Sequence, residues 1–231
     1  MTATTPRKTW QRASAVALAV SAALWACLVW RAPIDAMQGP IQKILYVHVP
    51  VVLGAYLGFF LTALGGGLYL WRREERWDRF AAAAAEVGVL FCTLVLVTGP
   101  IWAKGTWGRW WTWDLRLTLT LLLYLVYVSY LLLRSFTEGS ERAARFAAVY
   151  AIAGLAVIPL NYFAIELAGG RTVHPENLGR GSLGAGMRAP FALGMLTALA
   201  AFAHLLVRRL EVGALRNERD RREAEAFREE A

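Results

Sequence analysis

Long apolar runs alternate with short polar stretches along this chain. The runs at about 13–30, 50–71, 80–102, 117–133, 146–167 and 189–207 hold almost no charge. A hydrocarbon core about 30 Å thick needs roughly 20 apolar residues in a helix to cross it, so each run predicts one membrane-spanning α-helix. The first run continues past Leu24-Trp25-Ala26-Cys27, where a bulky Trp stands where processing wants a small residue, which predicts an uncleaved first helix after a leader at 1–12. Pro33, Gly39 and Pro40 interrupt the chain before the second span, and Arg72 to Arg79 form a charged turn after it. Gly99-Pro100 breaks the third span near its end. A Gly-rich loop at 169–187 precedes the sixth span, and a highly charged tail at 208–231 reads as a solvated helix or a disordered segment.

Composition agrees with an all-α integral membrane protein of six transmembrane helices: 57% of the 231 residues are hydrophobic and mean hydropathy is +0.40. The formal net charge of +8 falls at the ends of apolar runs and gathers in no patch, which argues for a lipid bilayer and against a nucleic-acid partner. Six spans put both termini on one side. That side carries 17 Lys and Arg and the other 8, so the positive-inside rule predicts that both termini are cytoplasmic. Cys27 and Cys92 sit in apolar runs without a CxxC and read as core or lipid-facing residues.

With that topology, each outward segment holds something unusual. The segment at 103–118 contains Trp107, Trp110, Trp111 and Trp113 with Gly108, Arg109, Asp114 and Arg116. A Trp belt at the membrane boundary would spread its rings over all helix ends and would not need Gly, Asp and Arg among them. The other two outward segments lead to His48 and His174, each following a Val and closely preceding a Pro that restricts the backbone. Two imidazoles flanking an aromatic platform suit a planar iron macrocycle, whose carboxylates Lys43, Arg116 or Arg171 would meet. Zinc would want a third converging ligand, and no phosphate-binding Gly-rich loop is present. His204 lies in the sixth span. Glu86 and Glu166 read as structural or interfacial, and Gly65-Gly66-Gly67 as a site of close helix packing. Asp114 has three readings: it contacts the macrocycle, it orients Arg116, or it caps the following helix.

Trp107-Gly108-x-x-Trp111-x-Trp113-Asp114-x-Arg116-Leu117-Thr118 resembles the WWD signature of haem-handling membrane proteins of cytochrome c maturation. Chain length and six spans are similar to the small CcmC-type members and unlike the larger haem lyases. The resemblance implies a non-covalent b-type haem held on the periplasmic face of the bacterial inner membrane. His48 and His174 would be its axial ligands, Trp107, Trp111, Trp113 and Asp114 would line it, and Lys43, Arg116 and Arg171 are candidates for its propionates. It implies haem transfer to a membrane-anchored periplasmic chaperone (CcmE-like), and association with ABC transporter subunits (CcmA/CcmB-like) and a small single-span subunit (CcmD-like). It also implies no enzymatic role beyond assisting haem attachment to the chaperone. Members of that family usually carry Trp before the second His, where this chain reads Leu167-Ala168-Gly169-Gly170, implying looser cover of the haem there. A permease subunit of a haem or small-molecule ABC transporter is the competing reading, and it predicts a polar path through the bundle. A quinone-linked cytochrome subunit would place its ligands within the spans.

Overall fold

Hydrocarbon offers no partner to an open backbone group, so chain of this composition folds into helices that satisfy their own amides. The computed structural model describes residues 6–136, 140–179 and 181–230; residues 1–5 of the leader, 137–139, Arg180 and Ala231 lie outside the described residues. The helices are α1 (Pro6–Arg31), α2 (Leu45–Arg72), α3 (Glu75–Trp107), α4 (Leu115–Phe136), α5 (Glu141–Leu155), α6 (Val157–Tyr162), α7 (Ala164–Leu167) and α8 (Ala185–Glu230), with a 3-10 turn at Pro40–Ile44 before α2. Among the described residues, six stretches are long and apolar enough to cross a membrane: Trp10–Arg31, Pro40–Arg72, Glu75–Trp107, Leu115–Phe136, Glu141–Tyr162 and Ala185–Arg219.

The bundle is built on α2 and α3, its most extensive helix pair, with α4, α5 and α8 around them and α1 packed along α8 at the periphery. Its main core joins Val51, Ala55 and Phe59 of α2 to Val87, Phe91 and Val95 of α3, with Leu123 and Tyr127 of α4 and Phe202 of α8. The Phe59 and Tyr127 rings stack at 3.9 Å, and the Tyr127 hydroxyl finds the Phe59 and Ala151 carbonyls at 3.2 Å each. Close approach of α2 rests on glycine. A Cβ on Gly65 would lie 3.0 Å from Ala81, one on Gly66 would lie 3.1 Å from the Ala148 backbone, and Gly67 faces open space. The tightest approaches are at Gly54, against the Phe91 ring, and Gly58, against the Gly88 backbone.

Several element boundaries differ from the sequence reading. Helix α2 begins at Leu45, so His48 sits in its first turn; Pro50 lies so near the start that its missing N–H removes one bond. Helix α3 continues through Gly99-Pro100 to Trp107, because a broken end would expose more unpaired groups than the one that Pro100 leaves. The fifth span is interrupted after Leu155, whose carbonyl is the one that the Pro159 ring displaces. The charged tail takes the helical one of its two readings, as a continuation of α8, whose 46 residues extend about 69 Å. Pairs such as Glu218–Arg222 and Arg219–Glu223 lie along it.

The acids within the bundle are structural. Glu86 of α3 receives both arms of Arg209 from α8, one at 2.6 Å, and Asp78 receives both arms of Arg134, one at 2.7 Å. Glu166 is exposed.

Candidate functional site

The end of the bundle that carries the Trp-rich loop gathers the candidate residues. Helix α3 stops at Trp107 because Gly108 adopts the left-handed backbone (φ 74°) and turns its N–H back to the Lys104 carbonyl at 3.2 Å. A side chain there would be strained, which accounts for the Gly after Trp107. The loop closes at Asp114, whose Oδ1 accepts the Leu117 N–H at 2.9 Å and so caps α4.

His48 is buried on α2. Its Nδ1 lies 2.8 Å from Thr98 Oγ1 of α3, and its ring meets Trp102 edge-on at 5.8 Å. The Thr98 hydroxyl donates its one hydrogen to the Leu94 carbonyl at 2.7 Å, so it accepts from His48, which places the His48 proton on Nδ1. Gly99 leaves room for this: a Cβ there would lie 3.2 Å from His48 Cε1.

His174 lies on the loop between α7 and α8, half-buried, with Trp107 edge-on at 6.4 Å. Its Nδ1 is 2.8 Å from the Pro175 carbonyl, an acceptor only, so here too the proton sits on Nδ1. Burial lowers its pKa from 6.5 to about 4, helped by the nearby Arg116 charge, while the Pro175 bond and Asp114 act in the opposite direction. The ring is therefore neutral at pH 7. Both imidazoles share one state, Nδ1 committed and Nε2 bearing the free lone pair, which is the state a metal takes. They lie within electrostatic reach of each other and of Arg116.

Arg116 donates through Nη1 to Asn177 Oδ1 at 2.7 Å and to the Tyr162 carbonyl at 3.3 Å. These partners are neutral, and no ion pair joins Arg116 to a carboxylate among the described residues, which leaves its charge available to an anion. Asp114 Oδ2 accepts from Thr172 Oγ1 at 3.0 Å, and Thr172 Oγ1 accepts the His174 N–H at 3.1 Å. Trp111 and Trp113 meet edge-on at 5.8 Å. Trp113 is 76% exposed, whereas Trp111 Nε1 and Thr112 Oγ1 are buried without a protein partner.

His48, His174, Arg116, Asp114 and Trp107 thus converge at one end. Lys43 does not join them in this arrangement: its Nζ donates to the Trp30 carbonyl at 2.7 Å, closing the end of α1. Arg171 is exposed, its backbone N–H bonded to the Ala168 carbonyl at 3.1 Å. Thr98, Trp102, Thr172 and Asn177 escaped sequence reasoning. Only Thr98 and Trp102 carried a signal, a polar and an aromatic residue one turn apart on α3. Beneath the site, Asn161 is buried and satisfied by Tyr56, by the Arg116 carbonyl at 3.0 Å and by Thr120 at 2.9 Å. No cluster of three or more His, Cys, Asp or Glu capable of holding a metal ion occurs among the described residues, so a metal here would be one that two imidazoles and a macrocycle suffice to hold.

A family model described as "Heme exporter protein C" matches residues 1–228. The "Heme exporter protein C" of Bradyrhizobium diazoefficiens is 35% identical over 192 residues, covering 81% of this chain and 70% of that protein. The protein of the same name from Paracoccus denitrificans is 34% identical over 157 residues, covering 68% and 64%. A "Putative cytochrome c biosynthesis ccmC-like mitochondrial protein" from Marchantia polymorpha is 35% identical over 138 residues, covering 60% and 58%.

Proposed function

The chain belongs to the heme exporter protein C family, and from that premise we propose that it binds haem between His48 and His174 and delivers it for cytochrome c maturation. The observation that carries this reading is the shared tautomer of the two imidazoles, each with its Nδ1–H held by a fixed acceptor and its Nε2 free. Haem supplies an iron that takes two such nitrogens and two propionates that seek cations. Arg116 is the better-placed propionate partner; Lys43 would first have to leave the Trp30 carbonyl, and Arg171 would reach in from the exposed loop. Trp107 and Trp102 stand beside the imidazoles, and the unpartnered Trp111 Nε1 and Thr112 hydroxyl are buried donors in the same loop, suited to the edge of a ligand. Exposed Trp113 and Trp110 leave an aromatic surface for an acceptor.

The distribution of Lys and Arg supports cytoplasmic termini and a periplasmic site in the inner membrane. The acceptor in this reading is a membrane-anchored periplasmic haem chaperone. Energy and assembly come from ABC transporter subunits and a single-span subunit. The competing permease reading draws on the interrupted fifth span and the Asn161 network. One discontinuous span is not the pair that transporters use at a midplane site, and the Asn161 groups are satisfied within the protein.

The test is the absorption spectrum of the full chain purified in detergent. Two imidazoles on iron give a six-coordinate low-spin haem, and a high-spin or haem-free preparation under haem-replete expression rejects the reading. Haem uptake into vesicles by this chain alone would favour the permease. Thr98→Val removes the acceptor that fixes the His48 tautomer at nearly constant volume. The expected result is a 10- to 100-fold loss of haem affinity, roughly the range for an outer partner of a metal-bound His, measured by haem titration with Thr98→Ser as the control.

A further inference from the structure

The WWD resemblance has Asp114 line the haem, but in the structure both of its carboxylate oxygens are taken by protein groups, one of them Thr172. The Asp114 carboxylate divides its oxygens: Oδ1 caps the first turn of α4, and Oδ2 takes the Thr172 hydroxyl. Thr172 spends its hydrogen on Asp114 and receives the His174 backbone N–H, so each polar atom in the relay has a partner. Beyond the ligand, Asn177 is held by Arg116 at 2.7 Å and by its own bond to the Tyr162 carbonyl at 3.1 Å. The loop is thereby fastened to the start of α4 two residues before His174 and three residues after it. Among the described residues the imidazole has one hydrogen bond, from Nδ1 to the Pro175 carbonyl, with the Trp107 ring edge-on beside it, so its place in the site depends on where these fastenings put the backbone.

We infer that Thr172 is a positioning residue for the second haem ligand, and that Asp114 acts on haem through Thr172 and His174 without touching it. This rests on the bis-imidazole reading above. A hydroxyl bonded to a carboxylate is a strong, directional link. It ties the signature loop to the ligand loop, so that the Asp after the last Trp of the signature sets the reach of a His sixty residues further on. Of the three roles open to Asp114 from sequence, Oδ1 fills that of helix cap, while Oδ2 takes up one outside those three, the fastening of the His174 loop.

The experiment compares optical spectra of the haem-loaded full chain with those of Thr172→Val, Thr172→Ser, Asp114→Asn and His174→Ala, each with and without added imidazole. Thr172→Val is expected to keep haem on His48 while binding of the sixth ligand weakens about 10- to 100-fold. The spectrum then shifts toward the five-coordinate high-spin form, and free imidazole restores the low-spin form. Thr172→Ser retains the native spectrum. Asp114→Asn keeps a good cap residue and shows the same shift to a smaller degree. A purely structural role would lower the melting temperature and leave the iron spectrum of the folded fraction unchanged, with no response to imidazole. A Thr172→Val spectrum identical to the native one, with His174→Ala losing the low-spin form, overturns the inference alone. An unchanged spectrum in His174→Ala overturns the ligand reading and this inference with it.

Discussion

Replacing His48 and His174 together with Ala is expected to yield a folded chain that carries no low-spin haem. The fold rests mainly on the apolar clusters that hold the bundle, and the hydrogen-bond partners of the two imidazoles, the Thr98 hydroxyl and the Pro175 carbonyl, are groups that a water molecule can serve in their absence. In the proposed site the iron would lose both nitrogens, and aromatic contact and a cation for the propionates would be the remaining hold on the macrocycle. Each axial bond lost is expected to lower haem affinity more than about tenfold, that is by more than about 1.4 kcal/mol of binding. Haem per protein by pyridine haemochrome, beside the melting curve of the apoprotein, measures both halves. Retention of a native low-spin spectrum by the double variant would show that other residues ligate the iron.

Gly58→Val is expected to be the most damaging single substitution in the bundle. A Cβ at position 58 would fall 2.8 Å from the Gly88 backbone nitrogen and 3.1 Å from the Ala84 carbonyl oxygen. Backbone cannot rotate away as a side chain can, so α2 and α3 must separate along their main contact and the Phe59 and Phe91 rings lose neighbours on both sides. Overpacking a dense core costs about 1–3 kcal/mol and more where nothing yields; about 3 kcal/mol would lower the melting temperature by roughly 6–12 °C. Thermal unfolding in detergent tests this, with Gly67→Ala, where nothing lies within 4 Å, as the variant expected to remain native. Because the Thr98–His48 bond bridges the same two helices, Gly58→Val should also weaken haem binding at temperatures where it remains folded.

The architecture was readable because a membrane imposes a length on each helix, and runs of apolar residues show that length directly. Helix ends were harder. Pro50 and Pro100 lie inside continuous helices while Pro159 follows a break, and the presence of a proline in an apolar run does not by itself distinguish the two outcomes. The same limit applies to the site. His48, His174 and the Trp-rich loop stand out by rarity and composition, so they could be assembled from topology alone. Thr98, Thr172 and Asn177 are ordinary residues whose part is decided by partners 50, 58 and 61 positions away. Lys43 looked suitable by its nearness to His48, yet the turn before α2 sends its amine to the end of α1.

The two candidate ligands are mounted on unlike supports. His48 sits on α2, whose face is locked to α3 by glycine contacts, whereas His174 sits on a loop secured by a handful of hydrogen bonds. Opening a segment held by a few such bonds costs far less than separating packed helices. In the proposed hand-over, His174 would be the support that yields first, and His48 would hold its side until an acceptor takes the other. Haem would then pass from one protein to the next without a moment free in solution, and the exchange rate would be governed by a loop and not by the membrane bundle.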